Sequence, residues 1–131
     1  MTGAQVVRLF FEAMEARDWD AAASRLAPGI EVEMPATGER FVGGAYLAFQ
    51  REYPEGWSVD VLEVLGDERV ATRVRVDHDS QVFLCAGFYD VADDVIRAGV
   101  EHWVTLAGET PPAWRARLST TGHRLSLQRR D

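Results

Sequence analysis

The segment from Trp57 to Val104 constrains this chain more than any other, because almost all of it alternates like strand and its interruptions are short. Residues 57–65 form one strand, Gly66-Asp67-Glu68 a turn, and residues 69–78, 81–91 and 95–104 three more strands. Four strands joined so tightly can only run as an antiparallel meander. Such a sheet has two faces, and each needs a partner wherever it is apolar.

The first half supplies helices for one face. Thr2 and Gln5 have capping-box spacing ahead of an apolar stripe at Val7, Phe10, Phe11 and Met14. Asp18 can cap a shorter helix carrying Trp19, Ala22, Ala23 and Leu26, ended by Pro28-Gly29. Ile30, Val32 and Met34 alternate with Glu31 and Glu33 as a half-buried strand. After Gly43-Gly44, the aromatics Tyr46, Phe49 and Tyr53 recur at helical spacing up to Pro54. The expected fold class is α+β, with about three N-terminal helices against a curved antiparallel sheet. The whole chain, 1–131, reads as a single domain with its core over about 5–104 and a tail over 105–131, where Pro111-Pro112 precedes a short docked helix or turn and then a fraying end.

Composition narrows the partners. At 131 residues, 47% hydrophobic and 27% charged, the chain is long enough for one core that needs no staples. Its net charge is −7 and its basic residues are all Arg, which disfavours nucleic acid. No apolar run reaches the roughly 20 residues of a membrane span, and the start lacks signal-peptide order. The single Cys85 sits in an apolar strand, so a reduced, cytoplasmic setting is expected. Phosphate-loop, dinucleotide and paired-cysteine motifs are absent, and neither a cofactor nor a metal is expected.

Turn lengths predict register. A two-residue Asp79-Ser80 loop pairs His78 with Gln81, Val76 with Phe83, Val74 with Cys85, Thr72 with Gly87 and Val70 with Tyr89. A three-residue Ala92-Asp93-Asp94 loop pairs Tyr89 with Arg97, Gly87 with Gly99, Cys85 with Glu101 and Phe83 with Trp103. Thr72, Gly87 and Gly99 then lie side by side on the inner face, and three small residues leave a hollow there. The outer face, with Val82, Leu84, Ala86 and Phe88 beside Ala98, Val100 and His102, is too apolar for open solvent and predicts a homodimer.

Residues 6–22, 66–76 and 96–104 resemble the nuclear-transport-factor-2-like superfamily, the last segment its polyketide-cyclase-like (SnoaL-like) branch. The resemblance implies a cone-shaped fold, a pocket between helices and sheet for a hydrophobic, polyketide-like molecule, and dimers formed through the sheet. Ketosteroid isomerases of the superfamily use a tyrosine and two aspartates, and the matching positions here are Phe10, Met34 and Gly87. Without those groups steroid isomerisation is disfavoured.

Glu101 is the leading catalytic candidate. It faces inward between Cys85 and the aromatics Phe83 and Trp103, where loss of water suits a carboxyl to general acid or base work. The structural alternative is an ion pair with Arg97 on the same face. A four-residue hairpin loop would exchange the faces and bring His102 in instead. His78, at the end of the inner face, and Tyr89 are candidates for polarising a ligand oxygen. Phe10, Trp19, Met34, Thr72, Phe83, Gly87, Arg97, Gly99 and Trp103 are the expected ligand contacts. In Asp77-His78-Asp79-Ser80 alternate residues point to opposite faces, which rules against a triad. The two functional readings are a cofactor-free isomerase, cyclase or hydratase, and a binding or dimerisation module that does no chemistry.

Overall fold

The computed structural model describes residues 1–130. Helix α1 spans Gly3–Glu15 and α2 spans Trp19–Ala23; β1, Leu26–Met34, and β2, Glu39–Val42, precede α3, Gly44–Glu52. The meander follows as β3, Trp57–Gly66; β4, Arg69–His78; β5, Gln81–Ala92; and β6, Val95–Thr105. All six strands form one open, curved sheet in the order β2-β1-β6-β5-β4-β3, with β1 parallel to β6 and every other pair antiparallel.

The expected capping box starts α1: Thr2 Oγ1 accepts from the Gln5 N–H, and the Thr2 N–H donates to Gln5 Oε1. The stripe of Val6, Val7, Phe10, Phe11 and Met14 is buried against the sheet's inner face, mainly along β3. Asp18 caps α2 as expected, but that helix ends at Ala23. Leu26 belongs to β1, because its pairing with Ile96 and the Ile96 N–H bond to the Arg25 carbonyl draw the chain into the sheet before Pro28. β2 is an addition to the sequence reading. Only four residues long and polar at Glu39 and Arg40, it carries too little periodicity to be seen without its partner β1.

The β4–β5 register is the expected one from His78↔Gln81 to Val70↔Tyr89. The β5–β6 register differs by two residues. Asp93 and Asp94 alone make the turn, both left-handed at φ 54° and 60°, so Ala92 pairs with Val95. A bulge then inserts Arg97, since Val91 pairs with Ile96 but Asp90 with Ala98. The shorter turn and the bulge each move the pairing by one. Together they restore parity, so Glu101 still faces inward, now opposite Gly87 rather than Cys85, and Trp103 is opposite Cys85 rather than Phe83.

The shift also refills the expected hollow. Tyr89 pairs with Gly99 and lays its ring over both glycines. A Cβ on Gly99 would stand 2.6 Å from Tyr89 Cδ1, and one on Gly87 2.6 Å from the Tyr89 hydroxyl and 2.9 Å from Thr72 Oγ1. These three small residues are the bed of a tyrosine, not the wall of a cavity.

The tail makes a two-turn 3-10 helix at Ala113–Leu118, whose Trp114 stays exposed rather than docked. Its end returns to the sheet instead of fraying: Arg73 donates to the carbonyls of Leu125 and Ser126, and the Arg130 N–H to that of Leu62 on edge strand β3. Among the described residues, no helix is long and apolar enough to cross a membrane.

Gly99→Ala should be costly, because Tyr89 is buried and hydrogen-bonded and cannot yield to the added methyl group. Urea unfolding is expected to show a loss of about 1–3 kcal/mol, the usual cost of overpacking.

Candidate active site

A cavity of about 310 Å³ lies between the helices and the inner face of the sheet. Its walls are mostly apolar or aromatic: Phe11 and Met14 from α1, Met34 from β1, Phe49 from α3, and Trp57, Val76, Phe83 and Trp103 from the meander. Phe41, Phe49, Tyr53 and His78 form a series of ring contacts, the first tilted and the other two edge-on, with successive ring centroids 4.8, 6.1 and 5.5 Å apart.

Glu101 is the one carboxyl in this lining and is 1% exposed. Three donors converge on it. The Tyr46 hydroxyl donates to Oε2 at 2.5 Å, the Tyr89 hydroxyl to the same oxygen at 2.8 Å, and the Trp103 indole N–H to Oε1 at 3.1 Å. A carboxylate offers about four acceptor positions. Three are filled by the protein, and the remaining one, on Oε1, has no donor among the described residues.

Each donor is held by the fold. Tyr46 sits on the first turn of α3, buried and stacked on Phe10 with centroids 5.9 Å apart and planes 21° apart. Tyr89 is pinned by Gly87, Gly99 and an edge contact with Phe11. Burial first, and then the negative charge of Glu101, push both phenols well above the usual tyrosine range. Burial likewise raises the Cys85 thiol, with Glu101 adding to the effect, so Cys85 is held as an inert thiol.

Four of the expected site residues line the cavity: Glu101, Met34, Phe83 and Trp103. Tyr89 lies behind Glu101, Phe10 lies behind Tyr46, and Thr72 donates to the Gly87 carbonyl beneath the Tyr89 ring. Trp19 packs on Trp57 rather than facing the cavity. His78 is half-buried beside Tyr53, with Nε2 3.3 Å from the Glu55 carbonyl, and is absent from the lining. Arg97 is corrected outright. As the bulged residue it projects from the surface and pairs with Asp93 at 2.6 Å, leaving Glu101 with neutral donors instead of an arginine.

Sequence reasoning missed Tyr46 as a donor to Glu101, and Phe11, Met14, Phe49, Trp57 and Val76 as cavity walls. The helical spacing of Tyr46 with Phe49 and Tyr53 was legible, and an inward glutamate without a basic partner requires neutral donors, which Tyr46 could have supplied. Among the described residues, no group of three or more His, Cys, Asp and Glu side chains is placed to hold a metal ion.

A curved sheet wrapped against N-terminal helices in this order defines the nuclear-transport-factor-2-like fold. The SnoaL-like domain model matches residues 7–99, and the chain belongs to that family. It is similar to a candidate ketosteroid isomerase from Kribbella flavida, with 26% identity, a TM-score of 0.85, and coverage of 95% of this chain and 94% of that one. It also resembles an NTF2-like protein of unknown function from Burkholderia xenovorans, with 15% identity, a TM-score of 0.74, and 91% and 94% coverage. A candidate polyketide cyclase from Sinorhizobium meliloti shares 21% identity at a TM-score of 0.64, over 74% of this chain and 93% of that one. No curated protein matches the sequence significantly.

The two raised phenols give a pH signature. Folding keeps Tyr46 and Tyr89 neutral where the unfolded chain would ionise them near 10.0. Their contribution to stability is therefore intact below about pH 10 and is lost as pH rises beyond it. In a Tyr53→Phe variant, which leaves these as the only tyrosines, tyrosinate absorbance should stay low above pH 10 and appear only together with unfolding.

Proposed function

We propose that the chain encloses a mostly hydrophobic, polyketide-like small molecule in this cavity and that Glu101 moves a proton on it without a cofactor. The observation that carries the reading is the free acceptor position on Glu101 Oε1, the one carboxyl oxygen position in an apolar cavity that the protein leaves unfilled. A carboxylate there can take a proton from a carbon acid or a hydroxyl and return it at a second position, which is the proton economy of an isomerisation, a cyclisation or a hydration. Tyr46, Tyr89 and Trp103 fix its orientation throughout. The names carried by the Kribbella and Sinorhizobium neighbours, a ketosteroid isomerase and a polyketide cyclase, fit the same class of substrate.

One observation favours a binding module that does no chemistry. The positions matching the isomerase tyrosine and aspartates are Phe10, Met34 and Gly87, and none can donate or accept a proton through its side chain. A thermal-shift screen of the purified protein against hydrophobic metabolites, with product analysis of each hit, separates the readings. A ligand at about 100 times its dissociation constant adds roughly 2.7 kcal/mol of stability. Glu101→Gln should still bind such a ligand while its conversion falls about 100-fold or more. Full conversion by that variant removes Glu101 from the chemistry, and ligands recovered unchanged from the native protein favour the binding module.

The apolar outer face supports the reading of a homodimer formed through the sheet. Phe88 is 38% exposed and Val104 56% exposed, beside half-buried Val82, Leu84 and Val100, an apolar strip that water covers poorly. Phe88→Asp places a charge in that strip, and light scattering is expected to show the mass falling from two chains to one.

A further inference from the structure

We infer that Gln50 determines which molecule the cavity accepts, and that this molecule is neutral and carries a second oxygen, beyond the one that meets Glu101, for the Gln50 amide to bind. This rests on the reading of the cavity as a small-molecule site. Gln50 belongs to the cavity wall and lies on α3 four residues after Tyr46 and three before Tyr53, both of which also line it. A helix turns about 100° per residue, so Gln50 points about 40° round from Tyr46 and about 60° short of Leu47. Tyr46 and Leu47 are 1% and 6% exposed, which puts Gln50 inside the inward arc of the helix and not on its flank. An apolar side chain is the ordinary occupant of such a place. Gln50 is half-buried there, and no hydrogen bond to its amide is found among the described residues.

The other polar side chains on this side of the wall are placed differently. The Thr37 hydroxyl donates to Glu39 at 2.6 Å, and the Tyr46 hydroxyl to Glu101. Tyr53 also has an unbonded hydroxyl, but it stands about two turns from Tyr46 along α3, with its ring edge-on to Phe49 and His78. Gln50 stands one turn from Tyr46, where side chains on one helix face start about 5–6 Å apart. Because the Tyr46 hydroxyl rests on Glu101, a ligand oxygen on Glu101 and a second on Gln50 are separated by about one helical turn. Two hydroxyls meta to each other on a ring have a spacing of that order. A glutamine amide donates and accepts without charge, so it pairs with a hydroxyl or a carbonyl. A ligand carboxylate would instead meet the Glu101 carboxyl across a mostly apolar cavity, in a chain of net charge −7.

Calorimetric titration with two matched pairs tests this. meta-Pentylphenol is compared with the pentylresorcinol whose chain is meta to both hydroxyls, and meta-propylphenol with the corresponding propylresorcinol. The members of each pair share a carbon skeleton and differ only in the second hydroxyl. In at least one pair, the affinity of the resorcinol relative to its phenol should fall about tenfold on going from the native protein to Gln50→Leu, through weaker binding of the resorcinol. The ratio should hold in Tyr53→Phe. A ratio that is unchanged in Gln50→Leu, or that falls only because the variant binds the phenol more tightly, overturns the role of Gln50 and leaves the cavity reading standing. A fall of the same size in Tyr53→Phe overturns the assignment of the second oxygen to Gln50 alone. Failure of all four compounds to bind the native protein overturns both readings. Where Gln50→Leu does not fold, the side-chain amide resonances of Gln50 in the labelled native protein replace it. They should move with the resorcinol and stay in place with the phenol, and equal movement with both overturns the inference.

Discussion

The convergence of Tyr46, Tyr89 and Trp103 on the Glu101 carboxyl ties the molecule together, because it joins α3, β5 and β6 at the point where the sheet faces the cavity. A carboxyl that is 1% exposed is tolerable only if its oxygens are hydrogen-bonded, and the donors found for it among the described residues are two phenols and an indole. The rest of the inner face is arranged around that requirement. Gly87 and Gly99 give up side chains so that the Tyr89 ring can lie flat enough to reach Glu101, and Phe10 stacks under Tyr46 to hold the second phenol. Removing any of these supports would leave a buried donor or acceptor unpaired, which costs more than the bond itself contributes.

The same arrangement determines what the cavity can do. Two phenols and an indole orient the carboxyl and leave one of its acceptor positions unfilled, in a space whose other walls are mostly aromatic and aliphatic, with the polar Thr37 and Gln50 among them. That combination suits an uncharged ligand with few polar groups, each of which must find its partner, since unpaired polar atoms are penalised on both sides of the contact. Fold and family are settled by the sheet and by the SnoaL-like match over 7–99, and the proposed chemistry rests on this one carboxyl and its donors.

Much of this was legible in the sequence where local rules act alone. The Asp79-Ser80 turn fixed every pair of β4 and β5, and the Thr2–Gln5 capping box fixed the start of α1. The inward orientation of Glu101 survived two misjudged details, a turn one residue shorter than expected and a bulge at Arg97, because their effects on side-chain parity cancel. What stayed hidden depends on contacts distant in sequence. Whether Gly87 and Gly99 border empty space or a ring depends on the two-residue shift that brings Tyr89 over them. The donors of Glu101 include a tyrosine 55 positions away on a helix whose docking no local pattern specifies. β2 exists only because β1 offers it an edge.

The account is tested most directly by whether the free position on Glu101 accepts a hydrogen bond from a bound ligand. The measurement is the affinity of the native protein for para-cyclohexylphenol against that for its methyl ether, which keeps the shape and loses the donor. The account predicts that the phenol binds and that methylation weakens binding about tenfold or more, since a hydrogen bond to a charged group is worth about 1.5–3 kcal/mol. Equal affinity for the two would contradict it, because the carboxyl would then be a closed structural element with no acceptor offered to the cavity.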